Sequence, residues 1–121
     1  MTVSFRRNFD SSLSASHTVQ VDFKPPLDFA GGSVKQVMGL MLKTTEQAKG
    51  IPLDALSVKI DDMHFLIGMS GVAKNASANL RLIRSRDWID IPLFYSSQRR
   101  AILAIAKDGE AAAMFNKVFA D

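Results

Sequence analysis

The chain has 121 residues, of which 47% are hydrophobic, and this suffices for a single domain, residues 1–121, with one core. It contains no cysteine and only two histidines, so disulfides, thiolate nucleophiles and cysteine-based metal sites are excluded. The net charge is +3, apolar runs are far shorter than the roughly 20 residues that cross a bilayer, and we expect a soluble protein that is not secreted.

Two segments near the N-terminus predict a β-hairpin. Apolar and polar residues alternate over residues 3–6 and again over 18–23, as they do in half-buried strands. The serine-rich residues 10–16 suit the connection between them. Lys24-Pro25-Pro26 cannot continue a strand ladder and interrupts the sheet.

Residues 33–49 predict an amphipathic helix of about four turns. Ser33 followed by Gln36 has the spacing of a capping box, and apolar residues then recur at helical spacing up to Ala48. Gly50 is placed to end the helix, and Pro52 prevents its return.

From Leu56 onward the apolar period changes to two. Residues 56–60 and 63–69 predict an antiparallel pair that turns near Asp61-Asp62. Residues 80–86 and 88–95 predict two more strands around Arg86-Asp87, and the short connections favour a meander.

Two short helices are predicted to close the chain. Ser96 or Ser97 caps a segment that runs to Ala106, residues 107–109 break it, and a last helix carries apolar residues up to Phe119. The predicted class is therefore α+β, with an antiparallel sheet of about six strands (an N-terminal hairpin plus a meander), one central amphipathic helix and two short C-terminal helices.

Catalytic groups are scarce. Asp62 and His64 would lie on the same face of a strand and could share a proton or a metal, or they simply mark an acidic turn followed by a strand histidine. Gly31-Gly32 before the helix lacks the lysine and hydroxyl residue of a phosphate loop. We expect no enzyme activity, no metal and no cofactor.

Basic residues are concentrated between Lys74 and Arg100, where the only acidic residues are Asp87 and Asp90. Such a concentration of arginine is typical of phosphate-binding surfaces, although solvated surface arginines would give the same pattern. Tyr95 and Trp88 could stack on bases, and Trp88 could equally belong to the core. On a strand, the arginines of residues 80–86 would not fall on one face.

Residues 84–94, with the sequence Arg-Ser-Arg-Asp-Trp-Ile-Asp-Ile-Pro-Leu-Phe, and the segment after them resemble the end of a coat protein from a single-stranded RNA bacteriophage. In that family a last long strand can carry Arg-Ser near its start and Ile-Pro with two apolar residues near its end. A polar cap, an amphipathic helix, a break and a second short helix follow. The resemblance covers roughly the last third of the chain.

The resemblance implies an interlocked homodimer whose continuous sheet faces RNA, and a shell of many dimers in a virion or the host cytoplasm. Together with the basic stretch, it gives the candidate nucleic-acid contacts Lys59, Lys74, Arg81, Arg84, Arg86 and Tyr95. The C-terminal helices would pack over the partner, or equally over the chain's own sheet. The candidate subunit contacts are Arg99, Ile102, Ile105, Met114, Phe115, Val118 and Phe119.

Three functions follow as hypotheses. The first is a non-enzymatic structural protein that self-assembles and contacts RNA, as a viral coat does. The second is a small dimeric nucleic-acid-binding or assembly-accessory protein that forms no shell. The third is a protein-binding adaptor or inhibitor that uses the predicted helix 33–49 as its binding face.

Overall fold

Nine β-strands and two α-helices form the part of the chain that the computed structural model describes, namely residues 2–10, 12, 14–24, 32–107 and 109–119, without the side chains of 109–112 and 114. In chain order they are β1 (Thr2–Arg7), β2 (Ala15–Asp22), β3 (Val34–Val37), β4 (Met41–Lys43), β5 (Ile51–Pro52), β6 (Ala55–Asp61), β7 (His64–Ser70), α1 (Ala73–Ser85), β8 (Trp88–Tyr95), β9 (Arg100–Ala106) and α2 (Gly109–Val118). No helix in these ranges is long and apolar enough to cross a membrane.

The strands form two antiparallel sheets. Sheet A has the order β1-β2-β7-β6. In sheet B the central strand is β8: β9 pairs along one side, β3 and β4 pair with its two halves on the other side, and β5 extends the sheet beyond β4. The predicted α+β class with antiparallel strands is confirmed, but the described part has nine strands in two sheets instead of about six in one.

The two sheets share one hydrophobic core. Alternate residues of β2 and β7 are buried, as are Ile89, Ile91 and Leu93 of β8, and all of these except His17 belong to the same hydrophobic cluster. Because side chains alternate across a strand, the other residues of these strands face outward. Each sheet therefore has an inner face in the core and an outer face away from it.

Several predicted elements are confirmed. The N-terminal hairpin is β1 with β2, the second hairpin is β6 with β7, the strand from Trp88 to Tyr95 is β8, and the last short helix is α2. Pro25, Pro26 and Gly31 lie outside the described residues.

The predicted helix over residues 33–49 is wrong. The segment forms β3 and β4, with a register shift between Val34 and Gln36 and an interruption at Gly39, whose φ is +135°. The shift and the interruption place buried residues at Val34, Val37 and Leu40, a spacing of three that imitates a helix. The adaptor hypothesis loses its basis, because it required this helix.

The predicted strand over residues 80–86 is also wrong, since these residues lie in α1. Asn79 and Ile83 are its buried residues, one helical turn apart. Asn79 anchors the helix: its Nδ2 donates to the Asp54 carbonyl and its Oδ1 accepts from the Asp54 amide, both at 2.9 Å. Arg81 and Arg84 consequently lie on a helix, which removes the difficulty of placing them on one face of a strand.

The predicted helix that ends at Ala106 is wrong as well. After β8 the chain turns at Gln98, whose φ is +68°, and returns as β9, which pairs with β8. Exposed and half-buried residues alternate from Arg100 to Ile105, as expected of a strand. Apolar residues at 102, 103 and 105 fit a helix and a strand equally well by spacing alone.

Candidate nucleic-acid interface

The outer face of sheet B carries an uncovered patch near the end of β8. Strand pairing sets Phe94 beside Arg100 of β9 and Gln36 of β3, and sets Pro92 beside Ile102. A cavity of about 520 Å³ lies here. We define the Phe94 patch by its outward-facing lining residues, which are Lys35, Gln36, Met38, Pro92, Phe94, Arg100 and Ile102.

Two cations contact the aromatic ring at the centre of this patch. The Lys35 Nζ lies 5.8 Å from the centroid of the Phe94 ring, and the Arg100 Cζ lies 5.6 Å from it. Each contact is worth about 0.5–1 kcal/mol at an exposed site, so either cation can leave the ring for a better partner. None of the described residues that line the patch is acidic. The patch therefore combines a stacking surface with an uncompensated positive charge.

The other half of this outer face is covered. The Lys43 Nζ lies 2.7 Å from Asp90 Oδ1 and donates to the Glu46 carbonyl at 2.6 Å, so the segment after β4 folds over the sheet. The two charged side chains are 6% and 7% exposed. Trp88 lies half-buried beside Lys43. By contrast, Met38 and Ile102 of the Phe94 patch are 61% and 59% exposed.

A second basic surface lies on α1. Lys74 and Arg81 are both exposed and are two helical turns apart, which puts them on one side of the helix. Their outward position is compatible with the predicted nucleic-acid contact. The structure does not join them to the Phe94 patch, because α1 meets the start of β8 through Arg86 and Asp87, whereas the patch lies at the end of β8. The basic stretch that the sequence presents as one region is thus divided between two places.

Arg84 has a structural partner. Its Nη2 donates to the carbonyl of Phe119 at 2.7 Å, at the end of α2. Lys107, which precedes α2, makes the reciprocal contact, because its Nζ donates to the Ile83 carbonyl near the end of α1. Burial lowers the pKa of Lys107, and the nearby charge of Asp87 opposes this shift. Cations at helix C-termini satisfy carbonyls that have no helical partner. Arg84 was predicted to lie on a strand facing RNA; it lies on a helix and binds the protein backbone.

Lys59 and Tyr95 do not line the Phe94 patch. Lys59 Nζ forms an ion pair with Asp62 at 3.0 Å and is 3.4 Å from the Val34 carbonyl. Tyr95 ends β8, is half-buried, and packs against the core. Tyr95 follows Phe94 along β8, but its side chain packs against the core and not in the patch.

The candidate subunit contacts are divided between core and surface. Phe115 and Phe119 are 9% and 2% exposed and pack on each other and on Phe5 at centroid distances of 4.5–6.1 Å. The aromatic side of α2 thus covers the chain's own core. Ile105 and Val118 are half-buried, Arg99 and Ile102 are exposed, and the side chain of Met114 lies outside the described residues.

His64 pairs with Asp61 and not with Asp62, which fits the second of the two readings of this segment, an acidic turn followed by a strand histidine. The His64 Nδ1 lies 2.7 and 2.9 Å from the two Asp61 oxygens, whereas Asp62 contacts Lys59. The Met63 amide also donates to Asp61 Oδ1, and these hydrogen bonds, that of Met63 foremost, lower the pKa of Asp61. Among the described residues no group of three His, Cys, Asp or Glu side chains could hold a metal ion. The arrangement is that of a turn.

Sequence reasoning missed the Phe94 patch because its residues come from three segments. Lys35 and Arg100 were each predicted to lie in a helix. Their contacts with Phe94 could therefore not be predicted before the strand pairing was known. Comparisons of the chain with protein-family models, curated proteins and solved structures found no match.

Proposed function

We propose that this chain is a non-enzymatic structural protein that self-associates and contacts RNA, of the kind found in viral coats. The observation that carries this proposal is the position of the Phe94 ring between Lys35 and Arg100 on an uncovered sheet face. Aromatic rings flanked by cations suit single-stranded nucleic acid, because bases stack on the ring while phosphates pair with the cations.

The Phe94 patch can supply binding energy for RNA through base stacking and phosphate contacts. Stacking of one base on an aromatic side chain contributes about 1–3 kcal/mol, and it does so for any base. Phosphate contacts by Lys35 and Arg100 add a salt-dependent term. Affinity would then come from a row of such patches in an assembly, which fits a coat that packages RNA of varied sequence.

Exposed apolar residues support the self-association. Among the described residues, Leu56, Val58 and Ile60 of β6 and Val72 before α1 are all 48–73% exposed. Isolated exposed apolar residues are ordinary, but three in one strand form a patch that favours burial against a partner.

The test is size-exclusion chromatography with light scattering, before and after nuclease, at low and high salt. We expect assemblies larger than a dimer that carry RNA at low salt and lose it at high salt. A nucleic-acid-binding dimer that forms nothing larger would favour the accessory-protein hypothesis. A monomer that ignores RNA at low salt would overturn the proposal.

A further inference from the structure

Strand β6 is an edge of sheet A. In the single chain its apolar residues face solvent instead of the core. It pairs with β7 on one side, and no strand in the described ranges pairs with its other side. Ser57 and Lys59 lie opposite the buried residues Ile67 and Phe65, so these polar side chains point inward. The apolar residues Leu56 and Val58 consequently point outward.

The exposure of these residues is large. Leu56 is 73% exposed, Val58 is 48% exposed, and Ile60, at the register shift before Asp61, is 61% exposed. Leu56 lies opposite Gly68, which has no side chain to cover it. Inside, the Ser57 hydroxyl is buried without a hydrogen-bond partner in the described part of the chain. A register slip of one residue would invert both faces of β6. In the observed register, a contact on the outer face would bury the three exposed apolar side chains.

We propose that β6 pairs with β6 of a second copy of this chain, antiparallel and related by a two-fold axis at Val58. The inference deepens the proposed function and rests on it, because self-association is part of that function. An unpaired edge presents backbone N–H and C=O groups that a second strand satisfies. A two-fold partner offers the same edge in return, so both copies lose their exposed strand at once.

The sequence of β6 selects this axis. An axis perpendicular to the sheet at Val58 sets Val58 against the partner's Val58 and Leu56 against the partner's Ile60. An axis at Lys59 would set Lys59 against the partner's Lys59, and an axis at Ser57 would set Asp54 against the partner's Ile60. Only the axis at Val58 matches all three apolar residues with apolar residues, and its one like-charge pair, Asp54 against the partner's Asp62, lies just beyond the ends of β6.

Cross-linking tests the axis directly, because the chain has no cysteine of its own. Opposite residues of an antiparallel pair have Cα atoms roughly 4.5–5.5 Å apart, within the range that a disulfide spans. We expect Val58→Cys to form a covalent dimer rapidly under mild oxidation. Gln20→Cys, an exposed position on the same face in the middle of the sheet, is the matched control and should remain a monomer on a denaturing gel.

A second pair of variants fixes the direction of pairing. Leu56→Cys alone and Ile60→Cys alone should cross-link slowly, whereas a mixture of the two should give a mixed dimer rapidly. If the wild-type chain self-associates in solution but Val58→Cys cross-links no faster than Gln20→Cys, the pairing is overturned and the proposed function stands. If the wild-type chain is monomeric at every concentration, the pairing and the self-associating function both fall.

Discussion

Arg84 at the end of α1 donates a hydrogen bond from its Nη2 to the carbonyl of Phe119, 2.7 Å away, at the end of α2. Lys107, just before α2, makes the reciprocal contact, because its ammonium group donates a hydrogen bond to the carbonyl of Ile83 in the last turn of α1. Each helix thus has one carbonyl at or near its C-terminus bound by a cation from the neighbourhood of the other helix. Part of the basic stretch is in this way committed to holding the C-terminal helix in place.

The first prediction compares the contributions of Arg84 and Arg81 to the stability of the fold. We expect Arg84→Ala to lower the free energy of unfolding by about 1 kcal/mol, because it removes a charge-assisted hydrogen bond that is partly open to solvent. Arg81→Ala, an exposed residue of the same helix, is the control and should change stability by less than about 0.5 kcal/mol. Urea denaturation of the two variants measures the difference. Equal stability of both would show that the contact with Phe119 contributes nothing.

The second prediction concerns the ring of Phe94. We expect Phe94→Ala and Phe94→Leu to weaken binding of a labelled single-stranded RNA by roughly 5- to 150-fold, which corresponds to about 1–3 kcal/mol of stacking. Leucine keeps most of the apolar volume and removes only the ring faces, so it controls for packing. Fluorescence anisotropy at fixed salt is the measurement. Wild-type affinity of Phe94→Leu would mean that the ring does not stack on bases.

The third prediction concerns the two cations beside Phe94. Arg100→Ala and Lys35→Ala should each reduce the slope of log affinity against log salt concentration by about 0.7, the value for one phosphate contact in single strands. Lys117→Ala removes one exposed charge from α2 and is the charge-matched control. A titration of RNA binding between low and moderate salt gives the slopes. The same reduction in the control would indicate a general effect of net charge.

The fourth prediction concerns the covered half of sheet B. Asp90→Ala leaves the buried Lys43 ammonium without its carboxylate, and we expect a loss of about 3 kcal/mol in the free energy of unfolding. Lys43→Met with Asp90→Leu removes both charges and should recover most of that loss. Chemical denaturation of the wild type, the single variant and the double variant measures both changes. A single variant as stable as the wild type would show that Lys43 finds solvent instead.

The fifth prediction is a pH dependence that arises at His17, which is 6% exposed and packs 4.6 Å from the Phe119 ring. Burial, with a smaller contribution from Arg7, lowers the pKa of His17 below its usual 6.5 in the folded chain. Between the folded pKa and 6.5 the unfolded chain binds more protons, so stability should fall as pH decreases through that window. We expect His17→Gln to flatten the fall and His64→Gln, a half-exposed histidine, to preserve it. Thermal melts from pH 7.5 to 5 measure the dependence.

The fold was predictable where the apolar period matches a regular element. Apolar residues recur at every second position in both hairpins and in β8, and α2 has apolar residues at helical spacing. The helix prediction for residues 33–49 was wrong because the irregular backbone at Val34 and Gly39 gives the buried apolar residues of these strands a helical spacing. In α1, the burial of Asn79 could not be predicted, because a polar residue is expected at the surface. Its hydrogen bonds to Asp54 are visible only in three dimensions.

The candidate site was less predictable than the fold. Arginine content indicated a phosphate-binding surface, but which arginines are free depends on tertiary partners, as Arg84 shows. The Phe94 patch depends on the pairing of β3 and β9 with β8, and the assignments of residues 35 and 100 to helices concealed it. Strand pairing between distant segments is the information that local patterns lack.

The two sheets alternate along the chain, and this sets the order in which they can form during synthesis. Sheet A is complete once β7 has emerged, whereas β3 and β4 of sheet B have no central strand until β8 follows. Val19, Val21, Phe65 and Ile67 therefore remain open to solvent on a finished sheet for about twenty further residues of translation. At ribosomal rates of about 5–20 residues per second, the growing chain exposes this surface for on the order of one to several seconds.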